Sequence, residues 1–381
     1  MFPTINHLDD LLPYIADNQQ IRVKQEPNGL TVVCYMLQDE DTFAGPNLQF
    51  ERECRGITFN PDGTIAARTL HKFFNIGERE DTQASSIDWA RVVRIMDKRD
   101  GSMITPVLMP DGSIVCKTKK TFTSAEAIEA TKFINADQAR VDWCHKWLLN
   151  GYTPTFEWTS PRFPIVLRYE KDELTLLHIR TNHTGEYMDL NEGPHYGVDD
   201  YELMPFPIVE NMMHRFTSGP SGRVSWELLK HAAETTEGVE GWIIQFDDGE
   251  MMKLKTKWYC ELHHAVTFTR WRDIARAVCD DKADDLKGAF AMTGRSIEPI
   301  LQVERQIKAR LDSVKRLVAT AVEYGVKSNF DAKAMALKFK EHNLFGLIMT
   351  QFRGKEPDYM AWYVRNHLEA EWNLEVVEVN A

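Results

Sequence analysis

Lysines recur at the ends of strand-like runs in this chain. Met96-Asp-Lys98-Arg-Asp100-Gly101-Ser102 places one before a tight Asp-Gly turn, at the end of the apolar run Val92–Met96. Others stand in Lys72-Phe-Phe-Asn75, Lys117-Thr-Lys119 and Lys253-Leu-Lys255. The last two strings alternate, so both lysines of each pair are expected on one face of a strand. Carboxylates sit among apolar neighbours: Glu157 in Thr155-Phe-Glu-Trp158, and Glu240 in Gly238-Val-Glu-Gly241-Trp242. A lone carboxylate in such a strand is expensive unless it is paired or binds metal.

Lysines act as point charges on phosphates, and carboxylates hold Mg2+ that bridges phosphate oxygens. A lysine nucleophile needs help, because an unperturbed pKa of ~10.4 keeps the amine protonated at neutral pH. Neighbouring cations and a metal ion lower that value. Taken singly, each feature is ordinary. A K-x-D-G string arises by chance in roughly one chain of this size in ten, and one alternating lysine pair reads as a solvated strand face. Together, spread over 55–255, they point to a phosphate-and-metal site.

Hairpins and a helix are expected to position these residues. Gly56–Leu70 and Met103–Lys119 each read as strand, Pro-Asp-Gly turn, strand, around Pro61-Asp62-Gly63 and Pro110-Asp111-Gly112. Ser124–Leu149 reads as one helix with Ser124 as N-cap, and Ala127, Ile128, Thr131 and Phe133 on its apolar spacing. Strands are expected at Thr155–Thr159, Ile165–Tyr169, Leu174–Arg180, Gly241–Phe246 and Met251–Lys255. After Trp258 hairpin signals cease. Ile300, Val303, Ile307, Leu311, Val314, Leu317 and Val318 repeat with helical spacing, so a domain boundary is expected near 250–262.

In this order the strings resemble the covalent nucleotidyltransferases, and more narrowly the bacteriophage RNA ligase 1 family. The shared nucleophile motif reads Lys98-Arg-Asp-Gly101. The later motifs read Phe156-Glu157, Glu240-Gly241 and Lys253-Leu-Lys255. Narrower matches are Glu53-Cys-Arg55-Gly-Ile57, Lys72-Phe-Phe-Asn75, Leu176–Arg180 with Thr184-Gly-Glu-Tyr187, Trp258-Tyr259 and Asp284-Asp-Leu-Lys287.

The resemblance implies an α+β fold. An antiparallel-sheet nucleotidyltransferase domain, an ATP-grasp-like ligase domain, would span 1–258, and an all-helical domain for RNA specificity 259–381. It implies an ATP-dependent RNA ligase using Mg2+, with Mn2+ as an alternative. Lys98 would take up AMP. Glu157, Glu240, Lys253 and Lys255 would complete the catalytic set. Tyr35, Arg55, Lys72, Lys98, Gly101, Lys119, Glu157, Lys253, Lys255 and Tyr259 would line the nucleotide site, and Glu240 and Asp284 would bind metal. RNA with 5′-phosphate and 3′-hydroxyl ends would be the partner, as in breaks of a tRNA anticodon loop. The cytoplasm, that of the infected host for a phage protein, would be the setting. Arg99 departs from the acidic residue often found after the nucleophile, and Tyr35 stands at an unexpected distance from Arg55. A DNA ligase, a capping-type transferase or an inactive RNA-binding relative are the alternatives. No OB-fold-like strand run follows residue 260, which argues against the first two. The intact lysines and glutamates argue against the third.

Composition sets the outer bounds. The 381 residues include 43% hydrophobic and 27% charged side chains, which excludes a mainly disordered, collagen-like or coiled-coil chain. No apolar run approaches the ~20 residues of a membrane span, and the first residues show no secretion signal. The six cysteines form no CxxC pair and are expected to be reduced cytosolic thiols. Against 45 Lys and Arg stand 57 Asp and Glu, a net of −12, and all of it falls in residues 1–260, because 261–381 carry 18 of each sign. Such a chain is no general nucleic-acid coat, and a polyanion would need local basic clusters. One such cluster is expected on the helical stretch with Arg295, Arg305, Lys308, Arg310, Lys315 and Arg316.

Overall fold

The computed structural model describes residues 2–36, 42–190, 204–218, 222–267, 271–292 and 296–372. Two compact units result. The first comprises Met1–Tyr35, Glu40–Val266 and Gly288–Thr293; the second comprises Met36–Asp39, Thr267–Lys287 and Gly294–Ala381. The first unit therefore runs on to Val266 and takes in a short later stretch.

Among the described residues, three four-stranded sheets build the first unit, with all but one of their strand pairs antiparallel. Strands β1 (Ile21–Gln25), β2 (Thr31–Tyr35), β3 (Arg55–Phe59) and β4 (Ile65–Ala67) pair in sequence order. Helices α1 (Leu12–Ile15) and α2 (Leu48–Glu51) accompany this sheet, and Ile15 and Phe50 share its core with Val33, Ile57 and Phe59. The Pro61-Asp62-Gly63 hairpin turns as expected, with Gly63 at φ 86°.

The second sheet has the order β5-β14-β13-β6 and the third β10-β9-β7-β8. Their members in chain order are β5 (Phe74–Asn75), β6 (Val92–Asp97), β7 (Ser102–Leu108), β8 (Ile114–Lys117), β9 (Tyr152–Thr159) and β10 (Glu173–Thr181). A two-residue pair, β11 (Thr217–Ser218) and β12 (Arg223–Val224), precedes β13 (Gly241–Phe246) and β14 (Met251–Lys255). All neighbours are antiparallel except β5 and β14. The four residues Lys98–Gly101 lie between β6 and β7, so the chain crosses from the second sheet to the third at the candidate nucleophile.

The expected single helix over 124–149 is two. Helix α3 (Ala125–Asn135) has Ser124 as N-cap, bonded to the Ala127 N–H, and α4 (Gln138–Leu149) has its own cap in Asp137. Asp137 is extended at φ −138° and accepts from the Ala139 N–H, a local bond that starts a new helix rather than continuing the old one. Ile128 is exposed; Ala127, Ala130 and Ile134 face inward. Ala130 and Ile134 pack with Trp147 of α4 and with Ile104, Phe156 and Trp158 of the third sheet. Each large apolar side chain buried there contributes ~1.5–3 kcal/mol.

Helix α5 (Trp226–Thr235) precedes β13, and α6 (Lys257–Thr267) follows β14. The remaining helices are α7 (Trp271–Cys279), α8 (Ala283–Met292), α9 (Glu298–Lys327), α10 (Ala332–Phe339), α11 (Phe345–Phe352), α12 (Tyr359–Asn366) and α13 (Leu368–Glu371). Along α9, Ile300, Val303, Ile307, Leu311, Val314 and Val318 are buried as their spacing requires, but Leu317 is 55% exposed. All six cysteines are buried, and none is in a disulfide. No helix among the described residues is long and apolar enough to cross a membrane.

The stretch Ile165–Tyr169 is not a strand. Its β-branched and aromatic composition fits one, but its Val166 and Leu167 N–H groups are taken by the Asp100 carboxylate instead of a ladder partner.

Candidate active site

The sheet registers bring the charged side chains together. Lys255 lies opposite Gly241 on β13, and Lys253 opposite Ile243, so both lysines share one face of β14. Ile243 in turn lies opposite Met96 on β6, two residues before Lys98. The Lys98 N–H donates to the Gly241 carbonyl at 2.9 Å, which extends that pairing one step beyond the strand end. Gly241 is required: its φ is 148°, and a Cβ there would lie 2.0 Å from the Leu254 carbonyl oxygen. Glu240 is thereby aimed at both cations. Its Oε1 lies 2.7 Å from Lys98 Nζ and 3.0 Å from Lys255 Nζ. Glu240 is 3% and Lys255 4% exposed.

Asp100 clamps the turn. One carboxylate oxygen accepts from the Tyr259 hydroxyl at 2.7 Å, and the other from the N–H groups of Val166 and Leu167 at 2.8 and 2.6 Å. The Asp100 N–H donates to the Tyr169 hydroxyl at 3.0 Å. Gly101 sits against β9, where a Cβ would come within 2.2 Å of the Trp158 carbonyl oxygen. Tyr259 is thus buried by its bond to the turn, and Lys255 Nζ lies 5.1 Å from its ring.

Glu157 projects from β9 opposite Met103, away from the core side occupied by Phe156 and Trp158. Burial pushes its carboxyl up to about 8, Glu240 and Asp100 add to the rise, and Lys98 and Arg55 oppose it. The Glu157 carboxyl is therefore largely protonated at neutral pH and can donate as well as accept a hydrogen bond. Asp97 is also raised by burial, with Arg99 working the other way.

Arg99, the departure from the acidic residue often found after the motif lysine, turns its charge to carboxylates. Its guanidinium donates to Glu173 at 3.2 Å, lies 3.9 Å from Asp97 and stacks 4.9 Å over the Tyr169 ring. The pair Lys117 and Lys119 also separates. β8 ends at Lys117, which is buried and donates to the Gly56 carbonyl at 2.8 Å. Burial lowers its amine to about 8. Lys119 lies beyond the strand with Nζ 4.1 Å over the Tyr35 ring. Lys72 is buried, bonded to the Phe73 carbonyl at 3.1 Å and 4.6 Å over the Phe74 ring. Arg55 donates to the His71 carbonyl at 3.2 Å. Asp284, at the start of α8, belongs to the second unit. A cavity of about 700 Å³ lined by Phe2, Arg94, Tyr187 and Gln245 contains none of these lysines.

The family model described as RNA ligase matches residues 53–259, which take in the second and third sheets and β3 and β4 of the first. The chain belongs to the RNA ligase family. It is 31% identical over 346 residues to a protein named "Putative RNA ligase" from Thermovibrio ammonificans, covering 87% of this chain and 84% of that one. It is 25% identical over 300 residues to RNA ligase 1 of Bacteriophage TS2126, covering 74% and 69%. Among solved structures, a putative ATP-dependent DNA ligase from Aquifex aeolicus aligns with a TM-score of 0.46 at 16% identity, over 84% of this chain and 80% of that one. An archaeal ATP-dependent RNA ligase aligns with a TM-score of 0.45 at 12% identity, over 80% and 78%.

This RNA ligase family member also unites strings that had no visible purpose in the sequence. Glu53, 2% exposed, receives Arg68 at 2.9 Å and Arg180 at 2.6 and 2.8 Å. Burial would raise its carboxyl, but Arg180 and then Arg68 outweigh it and hold it at about 2. The guanidiniums spend their other donors on carbonyls of Pro3, Thr69, Asn182, His183 and Gly185. Glu53, Arg180 and Gly185 are therefore one buried clamp just before Arg55. Arg68 completes it and was missed, since nothing in Ala66-Ala-Arg-Thr69 marks it as buried.

Proposed function

We propose that the protein is an ATP-dependent RNA ligase that joins 5′-phosphate and 3′-hydroxyl ends in three steps. Lys98 Nζ forms a bond to the α-phosphorus of ATP, the bond to pyrophosphate breaks, and the amine gives up a proton. A 5′-phosphate oxygen of RNA then takes the adenylyl group, breaking the N–P bond. The 3′-hydroxyl finally attacks that 5′-phosphate, and AMP leaves. The observation that carries this reading is Glu240 Oε1 lying between Lys98 and Lys255, at 2.7 and 3.0 Å. Glu240 is placed to take the proton that the amine gives up. Lys255 and Lys253 stand on the same strand face, suited to neutralise phosphate charge as it shifts. Glu157 offers a protonated carboxyl suited to a ribose hydroxyl. Arg55, Lys72, Lys119, Tyr35 and Tyr259 surround the nucleotide in this reading.

The donor set fits a hard divalent cation, Mg2+ in this reading. No trio of His, Cys, Asp or Glu among the described residues would cage a metal unaided, which suits an ion held by one or two carboxylates together with substrate phosphates. Glu240 would hold it together with substrate phosphates. Bound there, it would supply charge neutralisation on the phosphates. A broken tRNA anticodon loop is the candidate natural substrate and the cytoplasm the setting.

The test is incubation with α-labelled ATP and Mg2+, then a denaturing gel. Wild type should carry label. Lys98→Ala should carry none, yet still seal RNA that is already 5′-adenylylated. Label that persisted, or mapped to Lys117 or Lys119, would overturn the assignment.

A further inference from the structure

Lys72 and Lys253 come from segments that meet only briefly. Strand β5 pairs with β14 in parallel over two residues, Phe74 with Met252 and Asn75 with Lys253, and Ile76 adds one bond to the Lys253 carbonyl at 3.0 Å. So short a parallel ladder fixes register poorly. A polar network stands at its entrance. Arg52 grips Glu250 with both terminal nitrogens, Nη1 to Oε1 at 3.1 Å and Nη2 to Oε2. Arg52 Nε donates to the Lys72 carbonyl at 2.7 Å, and the Lys72 N–H donates to the Arg52 carbonyl at 2.7 Å. Glu250 immediately precedes β14 and His71 immediately precedes Lys72.

His71 joins the two sides. It is 1% exposed and boxed by Phe2, Phe73 and Tyr187, with ring centroids 4.8, 5.8 and 5.6 Å away. The Tyr187 hydroxyl accepts the His71 backbone N–H at 3.1 Å and lies 2.6 Å from His71 Nδ1. A hydroxyl has one proton to give. When that proton goes to Nδ1, the neutral ring carries its own proton on Nε2. Nε2 faces Glu250 Oε2 at 3.6 Å, a close polar approach longer than a hydrogen bond. Burial lowers the imidazole to about 4, which keeps it neutral at physiological pH.

We propose that Tyr187, His71, Glu250 and Arg52 form a positioning network that sets Lys72 against the β14 lysines, and so tunes ATP affinity in the adenylylation step. None of the four contacts substrate. The proposal rests on reading Lys72 as a nucleotide contact. Tyr187→Phe removes the hydroxyl that holds both the His71 backbone N–H and Nδ1, and Glu250→Gln removes the charge that Arg52 grips. Each should raise the KM for ATP in self-adenylylation by roughly ten-fold, the scale of one lost charge-assisted bond. The fraction labelled at saturating ATP should stay at the wild-type level. The double variant should be no worse than the more damaging single one, because both act through His71. An unchanged KM with a reduced labelled fraction would overturn the proposal, since that is the signature of lost folding alone. Additive effects would also overturn it. Should Glu250→Gln fail to fold, Tyr187→Phe decides alone, because it deletes a single oxygen. Lys72→Ala is measured alongside. If it raises the KM while the network variants do not, only the network is wrong; if it leaves the KM unchanged, the reading of Lys72 fails.

Discussion

Glu157 shows what a single residue owes to its surroundings. Burial penalises its charge and pushes its carboxyl up to about 8 in the folded protein, against 4.5 for a free glutamate. The folded chain therefore binds this proton more tightly than the unfolded chain does. Between about 4.5 and about 8 the folded state holds more protons, so this residue makes stability fall as pH rises through that window. Above it the whole cost of an ionised buried carboxylate is present. Glu157→Gln imitates the protonated form in shape and charge. Its unfolding midpoint should match wild type near pH 5 and exceed it near pH 9. Thermal melts across that range decide the matter, and a constant difference between the two proteins would contradict the assigned titration.

Elements here are joined by single side chains rather than by broad faces. Asp100 ties the Lys98 turn to α6 through Tyr259, and to the segment after β9 through Val166 and Leu167. The bonds are unequal in consequence. Tyr259→Phe deletes one hydroxyl, worth ~1–3 kcal/mol with a charged acceptor, and should slow adenylylation by roughly ten-fold. Asp100→Ala leaves two part-buried backbone N–H groups and the buried Tyr259 hydroxyl without an acceptor. Each orphan costs ~1–3 kcal/mol, so labelling should fall by roughly two decades or more. Rates of label incorporation at saturating ATP rank the two. Equal losses would mean that Tyr259, not the Val166–Leu167 backbone, carries the clamp.

At the scale of the molecule, charge and division of labour change from the sequence expectation. The basic face of α9 is mostly paired. Arg305 meets Glu298, Arg310 lies 2.7 Å from Glu371, and Lys315 lies 3.9 Å from Asp312 and is half-buried. Arg295 lies outside the described residues. Reversing Arg305, Lys308 and Lys315 to Glu should therefore flatten the salt dependence of RNA binding by less than the ~3 units that three free phosphate contacts would give. Truncation is the sharper experiment. A cut near residue 260 removes most of α6, and any cut before 288 removes Gly288–Thr293, which clusters with the first unit. A chain ending after Thr293 should self-adenylylate better than one ending at 260, and should discriminate less between nicked structured RNA and plain single strands. Equal labelling by both truncations would show that those later residues are dispensable to the first unit.

The sequence by itself determined the hairpins around Gly63 and Gly112, the switch to helices, and the strands that carry Glu157, Lys253 and Lys255. These rest on local rules, such as turn chemistry, two-residue alternation and helical spacing, which act over a few neighbours and are written in them. Alternation placed Lys253 and Lys255 on one face because β14 runs through both. The same rule misled at Lys117 and Lys119 because β8 stops at the first. Only the tertiary structure decided that Glu53 is a buried clamp for Arg68 and Arg180, that Arg99 turns to Glu173, and that Val166 and Leu167 serve Asp100 instead of a sheet. It alone sets His71 between Tyr187 and Glu250. Each of these joins residues far apart in the chain, and a hydrogen bond or ion pair depends on where the partner arrives. No local pattern in Ala66-Ala-Arg-Thr69 or Leu70-His-Lys72 records that arrival.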